Sequence, residues 1–203
     1  MKIALIGASG NVGSRVANEA LSRGHKVTGI ARHPEKIAAK NGLTAVKGDA
    51  SDSGGLAKAL AGHDAVVSST RFQGSDARVL LAAVKKAGVK RLLVVGGAGS
   101  LEVSPGKALI DTPEFPAAYK PEASAGRDFL NVLRGEKELD WTFLSPSAFF
   151  GPGERTGKFR VGGDALLVGA DGRSRISMED YAIALVDELE KPAHSRRRFT
   201  VGY

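Results

Sequence analysis

Lys2-Ile3-Ala4-Leu5-Ile6-Gly7-Ala8-Ser9-Gly10-Asn11-Val12-Gly13 opens the chain with an apolar run that stops abruptly at a glycine turn, and an amphipathic segment follows to Leu21. The order is strand, turn, helix. Glycines at 7, 10 and 13 let the backbone turn tightly, approach a ligand without an intervening Cβ and pack the helix against the strand. The first turn of such a helix has unpaired N–H groups and a positive dipole end, which suit a pyrophosphate. Gly7, Ala8, Ser9, Gly10, Asn11, Val12 and Gly13 are therefore expected to cradle a dinucleotide. Three spaced glycines are a weak signal alone in a chain with 26 glycines in 203 residues. The flanking strand and helix give the pattern its weight.

Working outward, short apolar runs alternate with helical periods. Strands are predicted at Lys2–Ile6, Lys26–Ile30, Thr44–Lys47, Ala65–Ser68, Arg91–Val95, Trp141–Leu144 and Phe199–Val201. Helices are predicted at Val12–Arg23, Ser53–Leu60, Asp76–Ala87, Pro121–Arg134 and Met178–Glu190, several of them stopping at a glycine and the last capped by Ser177 with Asp180. This alternation predicts an α/β fold: a Rossmann-like, doubly wound parallel sheet, covered on both faces, in one domain spanning 1–203. Two glycine- and proline-rich segments, 96–120 and 145–163, break the rhythm where strands end. Ligands of open α/β sheets bind outside the strand carboxyl ends, so these segments are the expected walls of a substrate site.

Composition narrows the function classes. The chain has 42% hydrophobic and 25% charged residues and no cysteine, which excludes disulfides, thiolate metal sites and a cysteine nucleophile. It begins directly in a strand, without a signal peptide or an apolar run of membrane length, and a cytoplasmic location is expected. The net charge of +7 is spread along the chain, so no nucleic acid and no membrane partner are expected, while a homo-oligomer is allowed. Arg196-Arg197-Arg198 reads as a solvated edge that discourages strand pairing. His25, His33, His63 and His194 lack ligand spacing, so no metal is expected, and Ser100 and Ser104 lack a nucleophile elbow.

The end of the second strand bears on cofactor choice. An acid about twenty residues past the glycines suits the 2′-hydroxyl of NAD, whereas an arginine suits the 2′-phosphate of NADP. Here Arg32 follows Gly29-Ile30-Ala31, with no acid until Glu35. NADP(H) is expected over NAD(H), with Arg15 as a second positive group. Asp49 and Ala50, past the third strand, are expected at the adenine.

These residues, with Asp64-Ala65-Val66-Val67-Ser68, Val94-Val95-Gly96-Gly97-Ala98-Gly99, Asp140-Trp141-Thr142 and Ser177-Met178-Glu179-Asp180-Tyr181-Ala182, resemble the atypical short-chain dehydrogenase/reductases. That group includes NmrA-like proteins, biliverdin reductase B and NADH–flavin reductases. The resemblance spans nearly the whole chain and implies NAD(P)H across the strand ends, with Ser68, Ser69, Thr70, Gly96, Gly97, Ser145 and Pro146 along the cofactor. The tyrosine four residues before a lysine that serves typical members is absent: Tyr119 is followed at that spacing by Ala123 and Tyr181 by Leu185, and Tyr203 ends the chain. A small conjugated acceptor such as a flavin, taking hydride and drawing its proton from solvent, is then the expected substrate. Gly97, Ala98, Phe149 and Phe150 are its candidate contacts, and Tyr119 and Ser147 the catalytic candidates. The competing readings are an NmrA-like redox sensor without catalysis and a relative of sugar-nucleotide epimerases and dehydratases.

Overall fold

The computed structural model describes residues 1–203. In chain order the elements are β1 (Lys2–Ile6), α1 (Asn11–Ser22), β2 (Lys26–Ala31), β3 (Leu43–Lys47), α2 (Ser53–Leu60), β4 (Ala65–Ser68), α3 (Ala77–Lys86), β5 (Arg91–Val95), β6 (Glu102–Ser104), β7 (Lys107–Ala108), α4 (Lys120–Arg134), β8 (Asp140–Ser145), β9 (Phe149–Gly151), β10 (Arg160–Gly162), β11 (Arg175–Ser177), α5 (Met178–Glu190) and β12 (Arg197–Gly202). Eight strands form one sheet in the order β10-β12-β8-β5-β4-β1-β2-β3. All its pairings are parallel except β10 with β12. The strand order reverses between β1 and β4, the switch point of a doubly wound sheet, and the glycine turn leaves β1 there.

Side-chain alternation divides the core into two layers. Ile3 and Leu5 face α1 and α5 with Val16, Ala20, Tyr181 and Leu185. Ala4 and Ile6 face α2, α3 and α4 with Leu56, Leu80, Val84 and Leu130. Fully burying each large aliphatic chain contributes about 1.5–3 kcal/mol. Asp52, Asp76 and Ser177 cap α2, α3 and α5 by accepting from backbone N–H groups of the first turn.

Three expectations are corrected. The arginine run is not a solvated edge, because β12 pairs with β8 on one side and β10 on the other. Arg198 is buried there, its Nε donating to Asp164 at 2.7 Å and its Nη1 to Ser100 Oγ at 3.1 Å. The sheet is not covered everywhere, since β3 is an edge strand with three of its five residues exposed. Finally, the two long segments are not simple loops: they hold the β6–β7 hairpin, the first strand of the small β9–β11 pair and the edge strand β10.

Opposite the strand carboxyl ends, Arg91 at the start of β5 is buried against Glu188 of α5, Nη2 to Oε1 at 2.8 Å. Glu188 also accepts from the backbone N–H of His194 at 2.9 Å and lies 2.8 Å from its ring Nδ1.

Candidate functional site

The glycine turn has the geometry expected of it. Gly7 N–H donates to Ile30 O at 2.8 Å and Gly10 N–H to Gly7 O at 3.0 Å. Gly7 has φ +83°, and a Cβ there would lie 2.2 Å from the Ser69 carbonyl oxygen. A Cβ on Gly13 would lie 2.2 Å from Gly7 O. No side chain caps α1 and no acid stands in its first turn. The first N–H groups of the helix therefore face the turn unclaimed, a donor set that fits a pyrophosphate.

Arg32 lies one residue past β2, exposed and without an ion pair, and Asp49 lies two past the adjacent β3. Ser51 donates its backbone N–H to Asp49 Oδ1 at 2.9 Å and its hydroxyl at 2.8 Å. These bonds, with a smaller contribution from the charge of Arg32, hold the Asp49 carboxyl below its ordinary pKa. Ala50 packs partly into the core under α2. Arg15 departs from expectation: its Nε donates to Glu179 of α5 at 2.5 Å and its Nη1 to Asn11 O at 2.8 Å. Its charge is thus already matched by a carboxylate, rather than offered as a second cation.

The ends of β4, β5 and β8 converge beyond the turn. Ser69 N–H donates to Ile6 O at 2.8 Å, and Ser68 Oγ lies 3.4 Å from Thr70 Oγ1. A Cβ on Gly96 would meet the Phe143 ring at 2.3 Å, so this position requires glycine. Gly97 and Ala98 follow, half-buried, with Gly97 lying against Phe72. Phe72 packs on Phe129 and Phe143 at ring distances of 5.3 and 5.9 Å. Pro146 and Ser145 are buried, and Ser145 Oγ has no hydrogen-bond partner.

The catalytic candidates separate. Ser147 is corrected: it is 1% exposed and donates to Val201 O at 2.9 Å, which makes it a bond between β8's end and β12 rather than an accessible hydroxyl. Tyr119 is 66% exposed on the short turn before α4. Tyr181 is fully buried, donating to Leu144 O at 2.6 Å and accepting from Gly96 N–H at 3.3 Å. Burial pushes its pKa far up, so it stays neutral. Phe149 and Phe150 also part company: Phe149 is 70% exposed, while Phe150 packs on the Tyr181 ring at 4.7 Å.

Two features were not legible beforehand. Glu122 of α4 accepts from Phe72 N–H at 2.7 Å and Gln73 N–H at 3.0 Å, fastening the segment after β4 to the helix behind it. Residues 153–157 form a strap held at every position. Gly153 N–H donates to Glu179, Glu154 O accepts from Ser177 Oγ, Arg155 makes two bonds to Glu19, and Thr156 and Gly157 donate to Asp180. Between the strap and the paired β9 and β11 lies an open cleft of about 770 Å³. The Ser177-x-x-Asp180 spacing signals a helix cap, and nothing in it announces a strap 20 residues upstream.

Fold and turn together define a Rossmann-type dinucleotide-binding protein. A family profile described as NAD(P)H-binding matches residues 7–192. YwnB of Bacillus subtilis is 44% identical over 211 residues, covering 99% of this chain and 98% of that protein. A crystal structure from Bacteroides thetaiotaomicron, described as that of a candidate epimerase, superposes with a TM-score of 0.94 at 48% identity, covering 100% of this chain and 96% of that one. A Streptococcus pneumoniae structure, described as that of a candidate NADH-flavin reductase, gives a TM-score of 0.82 at 36% identity, covering 100% and 99%. The chain belongs to the NAD(P)H-binding oxidoreductase family. No helix is long and apolar enough to cross a membrane.

Proposed function

We propose that the protein is a cytoplasmic reductase that takes hydride from NADPH and delivers it to a flavin or similar conjugated acceptor. The observation that carries this reading is where the phenols sit relative to the glycine floor at Gly96 and Gly97. Tyr181 is hydrogen-bonded inside the core, the Tyr203 hydroxyl lies 2.8 Å from Asp180 Oδ2, and Tyr119 stands in solvent. Carbonyl–alcohol exchange and epimerisation both draw on a positioned proton donor beside the nicotinamide. A conjugated ring accepts hydride while water supplies the proton. The dinucleotide, once bound, supplies the hydride, and the chain's task is to position the two rings and exclude water. The unpaired Arg32 beside Asp49 supports NADPH as the donor. The Streptococcus pneumoniae relative supports the acceptor class.

Epimerisation, suggested by the description of the Bacteroides thetaiotaomicron relative, is disfavoured by the same absence of a Tyr–Lys relay. The test is the fall in absorbance of NADPH, with NADH in parallel, when FMN, FAD or riboflavin is added to the purified protein. Saturable, enzyme-dependent oxidation favouring NADPH is expected. Tight dinucleotide binding without turnover would move the assignment to a redox sensor.

A further inference from the structure

The small β9–β11 pair carries an arrangement that neither the turn nor the strand ends require. Phe149 and Arg175 are partners in its parallel register, as are Phe150 and Ile176. The pleat therefore sends Phe149 and Arg175 to one face and the next pair to the other. The inward pair is consumed by the core: Ile176 is 2% exposed and Phe150 lies on Tyr181. The outward pair is not, since Phe149 is 70% exposed and the Arg175 side chain 48%. Both line the 770 Å³ cleft, where Lys158 and Tyr203 join them.

The charges in that cleft are unevenly used. The Lys158 ammonium has no acidic partner, and Arg175 engages Asp171 through Nη1 alone at 2.9 Å, leaving the rest of its donors open. Glu154 is the one acid on the lining. Two cations beside an exposed aromatic face match a planar ring that carries a phosphate. We propose that this cleft is the acceptor subsite, with the flavin ring on Phe149 and its phosphate held by Arg175 and Lys158, so that the acceptor is FMN rather than riboflavin. This rests on the flavin-reductase reading and adds to it a choice among flavins.

The test is a fluorescence titration of FMN and of riboflavin into the protein saturated with NADP⁺, which blocks the phosphate-binding turn of α1. FMN is expected to bind about tenfold more tightly than riboflavin, the scale of one charge-assisted contact. Arg175→Gln combined with Lys158→Gln should bring the two flavins within about twofold, and Phe149→Ala should weaken both. Equal affinities in the unmodified protein, an FMN preference that survives both substitutions, expulsion of FMN by NADP⁺, or binding of neither flavin would each overturn the subsite. FMN binding without NADPH oxidation would overturn the reductase reading and with it the acceptor role, leaving the cleft as an FMN-binding site only. NADPH oxidation with equal KM for FMN and riboflavin would overturn the subsite alone.

Discussion

Arg32 is an exposed guanidinium without an acidic partner at the end of β2. Arg15, on the neighbouring helix, has its charge matched by Glu179. On the proposed NADPH reading, this contrast puts the choice between dinucleotides on Arg32 rather than Arg15. Arg32→Ala should weaken NADPH about tenfold while leaving NADH within about twofold, as loss of a charge-assisted phosphate contact predicts. Isothermal titration with both nucleotides checks it, and equal losses would remove Arg32 from 2′-phosphate recognition. Gly7 tests the turn itself. Gly7→Ala forces a left-handed φ of +83° on a residue with a Cβ and drives that carbon into Ser69 O. Destabilisation of about 1–3 kcal/mol and loss of dinucleotide binding are expected, read by denaturant unfolding and titration. The turn geometry of Gly7 and the place of Arg32 just past β2 were legible in the sequence because both follow from neighbours a few positions away. The partner of Arg15 stands 164 residues along the chain, and no local pattern announces it.

The strap and the first turn of α5 form one unit through Asp180. Burial alone would raise the pKa of this carboxyl, but bonds from Thr156, Gly157 and Tyr203 outweigh it and hold it below the ordinary aspartate value. A carboxylate whose folded pKa is depressed adds stability that is fully present above its unfolded pKa, ordinarily near 3.8, and lost as pH falls through the folded value. Glu179 and Glu188 shift in the same direction. Thermal unfolding should therefore show a falling Tm below about pH 4, the ordinary carboxylate range. Asp180→Asn should flatten that acid limb and cost about 1–3 kcal/mol at neutral pH. An unchanged acid limb would show that the strap bonds do not depend on the charge. The helices and long strands carry periodicity and were predicted to within a residue or two. Strands of two or three residues, such as β7, β9 and β11, have no period to read and exist through their partners.

One eight-stranded sheet with a layer on each face forms the body of the molecule, beside two small strand pairs, and the alternation of Ile3 and Leu5 against Ala4 and Ile6 is why its class was readable. The corrections lie where distant segments meet: β10 on β12, Asp164 on Arg198, and Arg91 on Glu188 at the end away from the cleft. Glu188→Ala would take the nearer of two carboxylates from the buried Arg91, leaving Asp140 at 3.3 Å, and should cost about 1–3 kcal/mol by chemical denaturation. NADPH affinity should persist in the folded fraction, and its loss would show coupling between the two ends of the sheet. A different coupling is built into the glycine turn. Because Gly7 has no Cβ, the turn after β1 rests directly on the Ser69 carbonyl. Three residues on, the Phe72 N–H is fastened to Glu122 on α4. Turn, β4 end and α4 are thus joined through two direct contacts, so that a ligand held at the glycine turn bears on a segment already anchored to the far side of the sheet.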